Sequence, residues 1–304
     1  MRSAESKTQK GAAPTLPATL RLGPVHLTVT DLDRSVVFYE SALGLKTHRR
    51  EAEEAAMGVG EEDLIVLVEE PGARRAGRHA GLYHYALLYP SREELARAAL
   101  RLAATKTPIQ GASDHDTHEA IYLPDPDGNG IELAADRPRE AWPDLANPDW
   151  GGGPRPLDTD ALLATVAGEE PRREAGAGLA VGHVHLHVGD LERGLAFYRD
   201  ILGFELVMFF PGQAAFVSAG GYHHHLGFNV WRGEGVPPAP PGRVGVRHWT
   251  VVLDDPKEVA ALRERVEAAG IEAQEAEEAK GGGFLARDPW GIAVVFVARD
   301  ALTA

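Results

Sequence analysis

Two stretches of the chain repeat one another: VHLTVTDLDRSVVFYESALGL at residues 25–45 and VHLHVGDLERGLAFYRDILGF at residues 184–204. Each begins with apolar side chains at alternate positions, which is typical of a half-buried strand. An aspartate follows, then apolar side chains at helical spacing, then a Leu-Gly pair. Asp31 and Asp190 are therefore predicted to cap two helices, and the glycine of each repeat is predicted to end its helix.

A weaker copy of this pattern occurs within each half of the chain. Residues 82–90, LYHYALLYP, and residues 247–255, RHWTVVLDD, are each interpreted as a strand that leads into a helix. Short strands follow each of these four strand–helix pairs. The sequence therefore predicts an α+β fold of four βαβββ units that form two incomplete mixed-sheet barrels. The units begin near His26, His84, His185 and His248.

The order of the units divides the chain into a tail, two domains and a linker. Residues 1–19 are predicted to be a disordered tail. The first pair of units occupies residues 20–137 and the second pair residues 179–299. Pro, Gly and charged residues are frequent between them, so residues 138–178 are predicted to be a linker with one short helix.

Composition excludes several classes of function. The 304 residues include 45 Asp and Glu against 31 Lys and Arg, for a formal charge of −14, which disfavours nucleic acid and anionic lipid as partners. No apolar run approaches the ~20 residues of a membrane helix. The chain has no cysteine, which excludes disulfides, thiolate metal sites and cysteine nucleophiles. We expect a cytoplasmic protein, and an exposed sheet edge leaves homo-oligomerisation open.

Histidines recur at equivalent positions of the units, and some of them form a pattern of metal ligands. Two imidazoles and one carboxylate on one face suit Fe(II) or Mn(II) and leave positions open for substrate. Units one and two offer His26, His84 and Glu132. Units two and three offer His183 with the same His84 and Glu132. Units one and four offer no full set, because Val295 stands where Glu132 does in unit two.

The ordered set of motifs resembles the vicinal oxygen chelate superfamily. The two repeats, LYHYALL, DPDGNGIEL and GGYHHHLGFNVW carry the resemblance. This superfamily includes glyoxalase I, fosfomycin-resistance enzymes, bleomycin-resistance proteins and extradiol dioxygenases. The four-unit bacterial catechol 2,3-dioxygenase group is the most similar, and the likeness covers nearly everything but the tail and the linker.

The resemblance implies a metal site formed by His84, Glu132 and His183. Counted from the capping aspartate of its unit, His183 lies seven residues upstream, and this spacing favours it over His185 and His26. The implied pairing therefore joins unit two of the first half to unit three of the second.

The resemblance also implies three catalytic residues. His224 is the expected acid/base residue, with His225 as the alternative. Tyr122, ten residues before the glutamate, is the expected hydrogen-bond donor to substrate, and His115 is the expected loop histidine near it. His118 is interpreted as a solvated neighbour. Four aromatic residues are candidates for lining the cleft: Trp231, Trp249, Phe228 and Tyr85.

These implications predict a metal-dependent extradiol ring-cleaving dioxygenase that acts on a catechol-type aromatic with O2. The expected cofactor is Fe(II), with Mn(II) as an alternative, and the expected partners are a small aromatic substrate and O2. Two other classes remain open: another metalloenzyme of the superfamily, glyoxalase-like or a thiol transferase, and a metal-free protein that binds an aromatic ligand.

Overall fold

The computed structural model describes residues 15–145, 147, 153–276 and 282–302. Within these ranges the chain has the predicted α+β fold of repeated units, arranged as two large mixed sheets. A search of the same ranges for a helix with the length and apolar character needed to cross a membrane finds none.

Each unit contributes one strand, one helix and three more strands. The strands are β1 (Arg21–Val29), β2 (Lys46–Arg50), β3 (Glu54–Val59), β4 (Glu62–Glu69), β5 (Gly81–Tyr89), β6 (Gly111–Asp114), β7 (His118–Pro124), β8 (Gly130–Asp136), β9 (Arg155–Pro156), β10 (Ala180–His187), β11 (Glu205–Phe210), β12 (Ala214–Ser218), β13 (Leu226–Asn229), β14 (Gly245–Leu253), β15 (Gln274–Glu275), β16 (Gly283–Arg287) and β17 (Ala293–Ala298).

The helices pack on the sheets, and the core lies between these layers. They are α1 (Leu32–Ser41), α2 (Arg92–Ala104), α3 (Thr159–Ala164), α4 (Leu191–Leu195), α5 (Pro256–Ala268) and α6 (Arg299–Leu302). A π-helical segment, Ala196–Ile201, continues α4, and a short 3₁₀ helix, Arg139–Ala141, follows β8.

The two sheets each combine one unit from each half of the chain. Sheet one has the strand order β15-β16-β17-β14-β1-β4-β3-β2, so it joins units one and four. Sheet two has the order β11-β12-β13-β10-β5-β8-β7-β6-β9, so it joins units two and three. At the centre of each sheet the first strands of two units run antiparallel, β1 beside β14 and β10 beside β5. The joining of units two and three is the pairing that the resemblance implies.

The repeated aspartates cap helices as predicted. The side chain of Asp31 accepts a hydrogen bond from the backbone N–H of Arg34 at 2.9 Å, and that of Asp190 accepts one from Arg193 at the same distance. The glycine after each helix has a positive φ, which only a residue without Cβ adopts at little cost.

The repeated tyrosine of the Phe-Tyr pair links the two units within each half. The hydroxyl of Tyr39 donates to Asp125 at 3.3 Å, and the hydroxyl of Tyr198 donates to Asp288 at 2.9 Å. Both aspartates lie in the turns before the last strand of a unit, and both also accept backbone N–H groups of their own turn. These buried contacts satisfy polar groups where the helix of one unit meets the turn of the next.

The predicted tail and linker lie partly outside the described residues. Residues 1–14, 146 and 148–152 are not described. Of the remaining tail, Leu16 is buried and its N–H donates to the carbonyl of Gly203 at 2.8 Å. In the linker range, β9 adds a short strand to the edge of sheet two, and α3 is the predicted short helix.

Candidate metal centre

A row of paired residues crosses four strands of sheet two and positions the site. The row runs, strand by strand, through His183, Ala86, Glu132 and Tyr122. Paired residues on adjacent strands project from the same face, and His84, two residues from Ala86, projects from that face too. The small side chain of Ala86 lets the side chains on either side of it converge.

The three predicted ligands converge on one point. Oε2 of Glu132 lies 3.0 Å from Nε2 of His84 and 3.3 Å from Nε2 of His183, and the two Nε2 atoms are 3.3 Å apart. With bonds of about 2.1 Å, ligand atoms lie about 3.0 Å apart at a right angle and about 3.4 Å apart at a tetrahedral angle. The triangle therefore fits three ligands of one divalent cation.

The charge balance of the triangle also fits a cation. Glu132 is 2% exposed, and burial by itself favours the neutral acid. The imidazoles of His183 and His118 outweigh burial and hold the pKa of Glu132 well below its usual range. Burial also lowers the pKa of His183, which keeps its nitrogen available as a ligand. An ionised carboxylate among neutral imidazoles is the donor set that a divalent metal requires.

His224 packs directly against one of these ligands. Its ring centroid is 4.1 Å from that of His183, and Phe216 contacts its edge at 5.1 Å. Burial holds the pKa of His224 well below its usual range. The alternative residue, His225, is engaged elsewhere, because its Nδ1 lies 3.0 Å from Oγ of Ser218. The structure therefore places His224, of the two candidates, beside the predicted ligands.

The three consecutive histidines lie directly before β13 rather than on it. β13 begins at Leu226, after His223, His224 and His225. The Nδ1 atoms of His223 and His224 lie 2.8 Å apart. Successive side chains of a strand point to opposite faces, so two neighbouring imidazoles in contact require a backbone that is not extended.

Tyr122 and His115 lie together at the edge of the site. Nε2 of His115 is 2.7 Å from the hydroxyl oxygen of Tyr122. Burial, with Glu132 adding to it, raises the pKa of Tyr122 well above its usual range, so the hydroxyl keeps its proton. Burial lowers the pKa of His115 to about 4. The pair therefore presents a neutral hydroxyl beside the carboxylate.

The interpretation of His118 as a solvated neighbour is wrong. His118 is 3% exposed, and its Nε2 lies 3.1 Å from Oε1 of Glu132, the oxygen that faces away from the triangle. Its Nδ1 lies 2.8 Å from Oγ1 of Thr117. His118 projects from the same face as Tyr122 because four residues separate them on β7, and this period-two relation was the available sequence signal.

The other histidines of β10 bind an asparagine rather than the triangle. Nε2 of His185 lies 2.9 Å from Nδ2 of Asn229, and Nδ1 of His187 lies 2.8 Å from Oδ1 of the same side chain. His26, the alternative from unit one, belongs to sheet one, where its ring lies 3.8 Å from that of His248. Neither His185 nor His26 replaces His183 in the triangle.

Of the four aromatic candidates for the cleft, the structure places Trp231 near the site. Trp231 is 52% exposed and its ring contacts those of His185 and Tyr83. Tyr83, which sequence reasoning missed, also contacts the ring of His84 at 4.8 Å. The other three candidates are fully buried core residues: Trp249, Phe228 and Tyr85.

A second cluster that sequence reasoning missed lies behind His224. Nε2 of His223 is 2.9 Å from Oδ1 of Asp136, and the ring of His223 stacks on that of His118 at 4.7 Å and 13°. His118, Asp136 and His223 have donor atoms close enough together for a cation. Nearly parallel rings direct their in-plane lone pairs side by side rather than at a common point, so this cluster reads as a hydrogen-bonded network.

Comparison with known proteins gives the same architecture. The sequence profile of the Glyoxalase/Bleomycin resistance protein/Dioxygenase superfamily matches residues 21–133 and 180–296. A protein named "Catechol-2,3-dioxygenase" from Bacillus subtilis (strain 168) is 39% identical over 272 residues, which cover 88% of this chain and 93% of that protein.

Two solved structures share the fold at low identity. Glyoxalase I from Zea mays has a TM-score of 0.58 and 21% identity, with 94% of each chain covered. The cppA protein from Streptococcus pneumoniae TIGR4 has a TM-score of 0.53 and 15% identity, with 91% of this chain and 98% of that chain covered. Because the family profile matches most of both halves and the Bacillus protein aligns over nearly the whole chain, this chain belongs to the Glyoxalase/Bleomycin resistance protein/Dioxygenase superfamily.

Proposed function

We infer that this chain is a metal-dependent extradiol dioxygenase that cleaves a catechol-type aromatic with O2. The observation that carries the inference is the convergence of two imidazoles and one carboxylate on one face, with a third imidazole, that of His224, packed beside them. The name of the Bacillus relative, 39% identical, supports the same reaction. Fe(II) is the proposed cofactor, with Mn(II) as the alternative, because this donor set suits both.

His84, Glu132 and His183 would hold the metal. A bound Fe(II) would supply Lewis acidity toward the two catechol oxygens and one-electron chemistry with O2. Two imidazoles and one carboxylate from the protein would leave other coordination positions of such a metal to small molecules. Tyr83 and Trp231, partly exposed beside His84 and His185, offer aromatic surface on which a ring substituent can pack.

His224 would move the proton of the substrate. Its pKa is low because it is buried, so the ring is neutral at neutral pH and has one nitrogen free to accept a proton. A catechol hydroxyl transfers its proton to that nitrogen, the O–H electron pair stays on oxygen, and the proton can return to the product later. Tyr122 would donate its hydroxyl hydrogen to a substrate oxygen while His115 fixes the orientation of that hydroxyl.

The function is tested by loading the protein with Fe(II) under anaerobic conditions and then adding catechol and air. We expect O2 uptake together with a yellow ring-opened semialdehyde, measured with an oxygen electrode and by absorbance. Protein loaded with Zn(II) is the control, since Zn(II) has no redox chemistry. No O2 uptake with catechol or with methyl-substituted catechols would contradict the proposal. Turnover of a glutathione hemithioacetal by the Zn(II) or Ni(II) form would instead indicate a glyoxalase-like enzyme.

A further inference from the structure

A chain of hydrogen bonds leads from the surface of the protein to His224. The carboxylate of Asp136, whose side chain is 24% exposed, lies 2.9 Å from Nε2 of His223, which is 1% exposed. Nδ1 of His223 lies 2.8 Å from Nδ1 of His224. Among the described residues the ring of His224 forms its hydrogen bond through Nδ1, so Nε2 is the nitrogen left for a ligand.

The chemistry of each group fixes the direction of these bonds. An ionised carboxylate only accepts, so Nε2 of His223 must carry hydrogen. A neutral imidazole has a single N–H, so Nδ1 of His223 is an acceptor and Nδ1 of His224 must be the donor. A neutral His224 that donates from Nδ1 has a lone pair on Nε2.

Three aromatic rings hold His223 in this orientation. His118 stacks on it at 4.7 Å, Tyr222 lies 4.1 Å away, and Trp142 contacts it at 5.1 Å. A ring enclosed in this way cannot exchange its two nitrogens by flipping without displacing its neighbours. Trp142 comes from the segment between the two halves, so this segment helps to fix the site.

We propose that Asp136 and His223 are positioning residues that hold His224 in the tautomer with a bare Nε2, ready to accept a proton from the substrate. The proposal rests on the acid/base role given to His224 in the proposed function. It gives a role to two residues that lie outside the predicted ligand triangle of His84, Glu132 and His183.

The test is the substitution Asp136→Asn, which keeps the size and shape of the side chain but can present an N–H donor to Nε2 of His223. The chain of bonds then reverses, and the hydrogen of His224 moves from Nδ1 to Nε2. We expect ¹⁵N imidazole spectra of the Zn(II)-loaded protein to show a bare Nε2 on His224 in the parent and a protonated Nε2 in the variant. The signals of His224 are assigned from their loss in His224→Gln.

Activity of the Fe(II) form gives the second readout. We expect Asp136→Asn to lower kcat for catechol by about 100-fold with a nearly unchanged KM and unchanged metal content. The reason is that the tautomer of His224 affects proton transfer rather than the binding of substrate or metal. Asp136→Glu, which remains an acceptor only, should recover at least part of kcat. The matched control is Asp63→Asn on sheet one, where Asp63 lies 2.7 Å from Nδ1 of His48.

Two results would overturn the proposal: a protonated Nε2 on His224 in the parent, or the same His224 tautomer in parent and Asp136→Asn. The spectra decide this independently of the reaction. If the tautomer changes as expected but no form consumes O2 with catechol, the positioning role stands and the proposed dioxygenase function fails. An equal loss of kcat in Asp63→Asn would also count against the proposal.

Discussion

Sheet one and sheet two repeat one architecture but differ in the row that carries the site. In sheet two His185 pairs with His84, and in sheet one His26 pairs with His248 in the same way. Two residues along the strands, sheet two has His183 and Ala86, whereas sheet one has Pro24 and Thr250. Ala86 pairs with Glu132 in sheet two, and Thr250 pairs with Val295 in sheet one.

The difference between the two histidine pairs follows from the carboxylate of Glu132, which sheet one lacks. In sheet one Val295 packs in a small apolar cluster with Val252, Ala276 and Val297. The ring centroids of His26 and His248 are 3.8 Å apart, and burial, with His248 adding to it, lowers the pKa of His26 to about 2. His26 is thus neutral at neutral pH. The comparison teaches that the buried carboxylate of Glu132, rather than histidines alone, distinguishes the predicted metal site from the histidine pair of sheet one.

The largest effect is expected when sheet two receives the valine of sheet one. Glu132→Val should weaken binding of Fe(II) or Zn(II) on the order of 100- to 1,000-fold. Structural zinc sites gain ~10–16 kcal/mol from four ligands, so the loss of one ligand should cost about a quarter of that binding free energy. Competition titration and elemental analysis measure the change. His26→Gln is the matched change on sheet one and should keep full metal content. Equal metal loss in both variants would move the site away from sheet two.

The next effect separates the proton-transfer residue from the ligands. His224→Gln should retain metal but lower kcat for catechol by about 100-fold, because general acid/base groups contribute on that order. Steady-state kinetics and metal analysis of the same preparation measure both. His225→Gln is the control, because His225 bonds to Ser218 instead. Loss of metal from His224→Gln would show that this imidazole is a ligand.

A further effect, on stability rather than on activity, concerns what both halves of the chain share, the buried tyrosine–aspartate contact. Burial raises the pKa of Asp288 to about 6 from 3.8, so ionising it in the folded protein costs stability. Parent and Asp288→Asn should differ least below about pH 4. As the pH rises from about 4 to about 6, the free energy of unfolding of the parent should fall relative to that of the variant, by up to about 3 kcal/mol, and the difference should level off above pH 6.

Denaturant unfolding of both proteins at pH 4, 5, 6 and 7 measures that difference. Burial also raises the pKa of Asp125, so Asp125→Asn in the other half should shift with the same sign. A difference that stays constant with pH in both variants would show that these aspartates titrate normally. Burial would then not affect the titration of the aspartate in either half of the chain.

The smallest expected effect comes from the residue between the ligands. Ala86→Thr places the residue of sheet one between His183 and Glu132, and the added atoms should push the two ligands apart. We expect metal affinity to fall about tenfold, the lower end of the range for residues that support ligands. Isothermal titration with Zn(II) measures this. Thr250→Ala, the reverse change on sheet one, should leave affinity unchanged.

Much of the fold was predictable because its signals are local. Capping aspartates, alternating strands and helix-ending glycines act within a few residues of chain, and Asp31 and Asp190 cap as predicted. The pairing of units two and three was also accessible, since a carboxylate occurs in unit two and a first-strand histidine at the required spacing in unit three. The convergence of His84, Glu132 and His183 agrees with that pattern, while their role as ligands stays a prediction.

The roles of the surrounding histidines were less accessible. His118 and His115 lie three residues apart, and the only local signal that His118 faces Glu132 is its period-two relation to Tyr122 on β7. Asp136 and His223 are separated by 87 positions in the chain, and their contact exists because β8 and the segment before β13 meet at one face. Trp142 falls within the predicted linker, and only the tertiary structure shows that its ring contacts that of His223.

The amino-acid sequence by itself determined the repeat, the unit boundaries and the identity of the three candidate ligands, because spacing and residue type are properties of the chain. The tertiary structure decided which neighbours each imidazole has, and so which nitrogen is bonded and which is bare. Whether two side chains form a hydrogen bond depends on differences of a few tenths of an ångström between atoms on strands far apart in the chain. These distances are set only after the two halves have joined in common sheets.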